Sequence, residues 1–185
     1  MEKQLKQDSD RWMEEGRMIA VLSDITTLKI DAIVNAANRM LLGGGGVDGA
    51  IHRAAGPDFL AECKTLGGCA VGEAKLTKAY RLPSKYVIHT VGPVWHGGKQ
   101  GNAGLLRKCY ESSLELAQKH GCQSIAFPCI STGVYGFPVE KAAQVGVRAC
   151  GEYMQSHGYR CEITFCCFSR EDLEIYRRIL KEIYI

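Results

Sequence analysis

Three short stretches hold the residue types that chemistry needs. In the first, Asn35-Ala36-Ala37-Asn38 runs toward Gly43-Gly44-Gly45-Gly46-Val47-Asp48-Gly49, with His52 four residues beyond Asp48. Four consecutive glycines are costly in chain entropy and make sense where backbone must approach a ligand closely. Apolar periodicity starts at Val47, so a helix starts there. Its first turn offers unpaired N–H groups and a partial positive charge, a natural anion site. Asp48 has the chemistry of a general base, but a first-turn carboxylate also simply stabilises the helix dipole. His52 is its (i, i+4) neighbour and is read first as a structural partner. The second stretch is Ser131-Thr132-Gly133-Val134-Tyr135-Gly136. Glycines and hydroxyls in a strand-to-helix turn can cradle a diphosphate through backbone N–H groups. No Lys-Ser or Lys-Thr follows the glycines, so it is not a Walker A loop. The third is Asp24-Ile25-Thr26, where a carboxylate at a strand end can accept hydrogen bonds from an amine such as that of adenine. It can equally close an Asx turn or cap a helix.

The elements that must position these stretches follow from apolar periodicity. Met18–Leu22, Ala32–Val34, Ala74–Tyr80, Tyr86–Val91, Ser124–Pro128 and Glu162–Phe168 read as short strands. Helical spacing recurs at Val47, Ala50, Ile51, Ala54 and Ala55, after Pro57, over Leu105–Lys119, after Pro138, and from Leu173 to Ile183. Pro138 suits a first helical position, where no backbone N–H is needed. Short apolar strands alternating with amphipathic helices predict a largely parallel or mixed sheet covered on both faces. Ligands of such sheets sit in loops at the carboxyl ends of the strands, and all three stretches fall there. Residues 1–16 form either a helix or a loosely held arm ahead of a single domain over 17–185.

Composition narrows the function class. A formal net charge of +3 over 185 residues is too small for a dedicated nucleic-acid binder. The polar N-terminus carries no apolar run, so no signal peptide is predicted. No stretch reaches the length of a membrane span. The nine cysteines show no CxxC spacing, so neither a zinc site nor a disulfide framework is expected. They read as small buried hydrophobes of a reducing, cytoplasmic setting. Cys129, near the 131–136 turn, would act as a nucleophile only with a base within reach, His52 or His89.

Together, Asp24-Ile25-Thr26, Asp31–Asn38, Gly43–Gly56 and Ile130–Pro138 resemble a macrodomain, and more closely its MacroD-type branch; Val87–Trp95 is also typical. The match spans about residues 17–182. The resemblance implies a three-layer α/β/α sandwich with a central mixed sheet and a cleft for ADP-ribose at its crest. It implies that Asp24 and Ile25 hold the adenine and that Phe168 stacks on the adenosine end. Asn35 also falls among the substrate-binding positions. Gly45, Gly46, Ser131, Thr132, Gly133, Val134 and Tyr135 would surround the diphosphate, and Val47 is a further substrate-binding position. Asn38 and Asp48 would face the distal ribose as the catalytic pair. Ser23 departs from the glycine many relatives carry. The implied activity is metal- and cofactor-independent hydrolysis of mono-ADP-ribose esters on protein Asp or Glu, and deacetylation of O-acetyl-ADP-ribose. Its partners would be ADP-ribose, its acyl esters and mono-ADP-ribosylated proteins, with nucleic acid only as ADP-ribosylated ends and no membrane. A module that reads ADP-ribose without cleaving it is the alternative.

Overall fold

The structure, a computed structural model, describes residues 17–98 and 101–184. The N-terminal arm or helix expected over 1–16 lies outside the described residues. Among the described residues six strands are present: β1 (Arg17–Leu22), β2 (Ala32–Ala36), β3 (Ala74–Lys78), β4 (Tyr86–Thr90), β5 (Ser124–Phe127) and β6 (Glu162–Cys167). Five α-helices intervene: α1 (Gly46–Ala55), α2 (Pro57–Thr65), α3 (Asn102–Lys119), α4 (Val139–His157) and α5 (Arg170–Tyr184). The sheet order is β1-β6-β5-β2-β4-β3, with β3 antiparallel to β4 and every other pair parallel. The expected mixed sheet in a three-layer sandwich is what forms.

Alternation along each strand assigns the layers. Ala32 and Val34 of β2, Ile88 of β4 and Phe165 of β6 pack with α3, α4 and α5. Ile33, Val87 and Cys166 face the other way, onto Ile51 and Ala55 of α1 and Phe59 and Cys63 of α2. Strands buried on both faces are near-continuously apolar. Asn35 in β2 and His89 in β4, adjacent in register and wholly buried, break that pattern, as does Thr90 at the end of β4.

Because five strands run in parallel, their carboxyl ends share one edge. The loops after β1, β2, β4, β5 and β6 therefore converge there, where ligands of open α/β sheets bind. A third apolar cluster of Ala37, Leu41, Cys69 and Val91 sits beneath the loop that follows β2. Leu41 adopts a φ of 58° yet is 1% exposed. A left-handed Leu is strained by about 1–2 kcal/mol, and the burial of its side chain holds it there. That burial pins the loop leading to α1.

Candidate active site

The loop between β2 and α1 is built by its glycines and by Asn38. Gly43 and Gly46 have φ of 97° and 56°, a region open to glycine at little cost. Asn38 closes the loop on itself: its Nδ2 donates to the Gly43 carbonyl at 3.0 Å, and the Met40 N–H donates to its Oδ1 at 3.1 Å. Gly45 caps α1 without a side-chain hydrogen bond. The first-turn N–H groups therefore stay free for an anion. Any Cβ on Gly44 would stand 3.1 Å from Asp48 Oδ2 and 3.3 Å from Asn38 Nδ2. The space beside the Gly44 backbone is thus where Asn38 and Asp48 converge.

Asp48 is 4% exposed and does not stand alone. Its Oδ1 accepts a hydrogen bond from Asn35 Nδ2 at 2.9 Å. His52 Nε2 lies 3.4 Å from the same oxygen, and its ring meets Phe59 edge-on at 4.8 Å. Asn35 Nδ2 also lies 3.2 Å from His89 Nδ1, and His89 Nε2 lies 3.0 Å from Thr77 Oγ1. Burial, with His52 nearby as the lesser cause, pushes the His89 pKa down to about 3, so the ring is neutral. One correction follows for the substrate-binding set. Asn35 is 0% exposed in β2 and reaches Asp48 and His89; it stands one layer behind the cleft and does not line it.

The loop after β5 takes its shape from Ser131, another non-glycine residue with positive φ, at 66°. The Ser131 carbonyl accepts from the Phe137 N–H at 2.9 Å, and the Tyr135 carbonyl accepts from the Trp95 N–H at 2.8 Å. Among the described residues the N–H groups of Gly133, Val134 and Tyr135 have no protein acceptor. Left-handed turns with outward N–H groups are anion cradles. Ser131 packs on Gly92, where any Cβ would collide with its Oγ. Thr132 Oγ1 donates to the Cys129 carbonyl at 3.0 Å, leaving the loop backbone to meet a ligand. Val134 is fully exposed at the loop tip.

At the β1 end, Asp24 Oδ1 accepts from Thr26 N and Oγ1 at 2.9 and 2.7 Å, capping the 3-10 turn Ile25–Thr27. The capping role weighed from sequence is therefore present. Asp24 Oδ2 takes no hydrogen bond among the described residues. The Ile25 side chain is buried against α1 and α2, so only its backbone remains to face a ligand. Ser23 is anchored by its carbonyl, which accepts from the Cys166 thiol at 3.0 Å. Phe168 follows β6 at 95% exposure, an open aromatic face.

A cleft of about 550 Å³ opens between Asn38, Met40, Gly92, Val94 and Tyr135. A larger hollow, about 980 Å³, lies between α3 and α4, far in the chain from these loops. Arg107 there is paired with Glu111 and Glu152, and none of the site residues reach it. Among the described residues no group of three or more His, Cys, Asp or Glu side chains is placed to hold a metal ion. Among the described residues no helix is long and apolar enough to cross a membrane. All nine thiols are free. That of Cys129 is pushed up, first by its hydrogen bond with Cys167 and then by burial. Burial pushes that of Cys63 up to about 11. The thiol near His89 is Cys63, at 4.0 Å, so the structure offers no activated Cys129 pair.

Thr77 and Leu41 escaped sequence reasoning, and His89 entered it only as a possible base for Cys129. A signal existed for His89: it and Asn35 each interrupt an apolar run one position short of the end of a strand.

Comparison with known proteins bears out the fold. The Macro domain family model matches residues 34–146. A macro domain-containing protein of Chlorobaculum tepidum is 59% identical over 161 residues, covering 87% of this chain and 94% of that protein. The ADP-ribose glycohydrolase MACROD1 of Bos taurus is 55% identical over 159 residues, covering 85% of this chain and 49% of that longer protein. Among solved structures, the Trypanosoma brucei macrodomain in complex with ADP-ribose superimposes with a TM-score of 0.83 at 46% identity. That superposition covers 89% of this chain and 69% of that one.

Proposed function

The chain belongs to the Macro domain family, and from that premise we propose that it binds ADP-ribose and hydrolyses its carboxylate esters. The substrates are mono-ADP-ribosyl esters on protein Asp or Glu and O-acetyl-ADP-ribose. The observation that carries this reading is the Asp48 carboxylate. It is buried in the first turn of α1, with Oδ1 held by Asn35 and Oδ2 toward Gly44 and Asn38. A carboxylate fixed by one oxygen and open at the other is arranged to take a proton from water. The diphosphate rests on the free N–H groups of α1 and of the Ser131–Tyr135 loop. Adenine lies by Asp24 Oδ2 and the Ile25 backbone, against Phe168.

In the proposed reaction Asp48 removes a proton from water as its oxygen attacks the ester carbonyl carbon. The tetrahedral intermediate expels the ribose oxygen, which takes the proton back from Asp48. The products are a carboxylic acid and ADP-ribose. Asn38 orients the distal ribose, and Tyr135 closes the cleft. No metal takes part, and the setting is the cytoplasm, where free thiols stay reduced.

The test uses a substrate automodified on Glu, with free ADP-ribose as readout, before and after dialysis against chelator. Wild type should release ADP-ribose in both states. Asp48→Ala should slow turnover by about 10²–10⁴-fold, the usual contribution of a positioned base, with ADP-ribose affinity retained. Asp48→Asn should be as slow as Asp48→Ala; wild-type-like turnover there would reduce Asp48 to orienting water activated by the diphosphate. Tight binding with no release from either ester would make the protein a reader.

A further inference from the structure

Between the sheet and α1/α2, among mostly apolar buried residues, runs one continuous polar row: Asp48, Asn35, His89 and Thr77, each buried. Burying polar groups in such a layer is costly unless they are hydrogen-bonded, and a partly satisfied network is worse than an apolar core. This row is only partly satisfied. Asn35 Oδ1 is buried without a partner. The neighbours on the same face, Ile33 and Val87, show what packing alone would place there.

The hydrogen bonds of the row have one consistent direction. The Asn35 NH2 has two hydrogens and two neighbours, Asp48 Oδ1 at 2.9 Å and His89 Nδ1 at 3.2 Å. Both bonds form only if His89 Nδ1 carries a lone pair. The ring proton then sits on Nε2 and is donated to Thr77 Oγ1 at 3.0 Å. Phe59 lies over the ring at 5.3 Å and fixes its plane. If the Asn35 amide were flipped, Oδ1 would face the carboxylate oxygen, acceptor against acceptor.

We propose that Asn35 and His89 are positioning residues. His89, locked as its Nε2–H form by Thr77, orients the Asn35 amide, and Asn35 holds Asp48 Oδ1 so that Oδ2 faces Gly44 and Asn38. The inference rests on the assignment of Asp48 above. Neither residue touches substrate. Their effect reaches the reaction only through the direction of one carboxylate, and misplacing a catalytic group by about 1 Å can cost about 10²-fold.

The test is a double-mutant cycle on the full chain. Asn35→Ala should lower kcat by about 10–10²-fold while KM and the ADP-ribose Kd change by less than about threefold. In the Asp48→Ala background the same substitution should change kcat by less than about twofold. Melting temperatures report any loss of fold. An equal loss in both backgrounds, or wild-type kcat for Asn35→Ala, overturns the proposal. If wild type releases no ADP-ribose, the ester-hydrolase reading fails by itself, and the row is judged by ¹⁵N NMR. The proposal then requires a neutral His89 ring protonated on Nε2. It also requires an Asn35 side-chain amide protected from exchange in wild type and exposed to it in Asp48→Ala. A ring protonated on Nδ1, or an amide indifferent to Asp48, overturns it.

Discussion

Acid should destabilise this protein earlier than carboxylate titration would. His89 is wholly buried in β4 beneath Phe59, and burial, with His52 second, pushes its pKa from 6.5 down to about 3. The unfolded chain therefore takes up a proton that the folded chain refuses. The resulting stability is fully present above about pH 6.5 and drains away as pH falls toward about 3. One excluded proton gives a slope of about 1.4 kcal/mol per pH unit, so the whole interval is worth on the order of 5 kcal/mol. Down to about pH 4.5 the loss should be about 3 kcal/mol, a large fraction of the 5–15 kcal/mol typical of domains. Asp31, held low chiefly by the Gln123 N–H and also by Lys85, adds its own loss only below its ordinary value of 3.8. The assay is urea unfolding of wild type and His89→Leu at intervals between about pH 7.5 and about pH 4.5. The variant should start lower, because Asn35 and Thr77 lose a partner, but its stability should fall less steeply by about one proton's slope. Parallel curves for the two proteins, or a wild type flat across the interval, would refute the reasoning.

Two other expectations concern the site. Gly49→Ala would place a Cβ 2.5 Å from the Gly44 carbonyl oxygen. Backbone must then move at a cost of about 1–3 kcal/mol, and calorimetry should show weaker ADP-ribose binding together with slower turnover; unchanged binding would mean the 43–46 loop is not a ligand surface. Hydrolysis in ¹⁸O-water should place the label in the released carboxylate, because an O-acetyl ester is cleaved at its carbonyl and the same groups serve both substrates. Unlabelled carboxylate would move the attack to the sugar carbon.

Much of the fold was legible because its signals are local. Short apolar runs marked every strand and period-3.6 runs every helix, with ends displaced by only a few residues. The sheet's mixed character was foreseen as a class, but which strand runs antiparallel was not. That β3 alone opposes its neighbour depends on how the chain crosses between Thr65 and Ala74, and no residue pattern encodes it. The glycine runs and the 131–136 turn announced themselves because unusual backbone demands unusual residues. Leu41 and Ser131 make the same demand without glycine. Their left-handed conformations are enforced by burial and by contact with Gly92, which are tertiary facts.

The layer behind the site was hidden for a different reason. A single Asn or His inside a strand is ordinarily a satisfied core residue, and neither Asn35 nor His89 is unusual by itself. They become informative as a pair, and the pair exists only once β2 and β4 are known to lie in parallel with Asn35 beside His89. A one-residue slip would turn one of them onto the α3/α4 face and leave Asp48 without its donor. Register thus sets the chemistry here: the apolar residues that fix how β2 lies against β4, Ile33 on Val87 and Val34 on Ile88, also fix which oxygen of Asp48 is held and which is free. The strained Leu41 secures the opposite wall, since it pins the loop that brings Asn38 to within 3.3 Å of a Cβ on Gly44. The carboxylate is therefore positioned from two sides by apolar packing that never touches it, and core substitutions at Val34 or Leu41 should act on kcat before they act on ligand affinity.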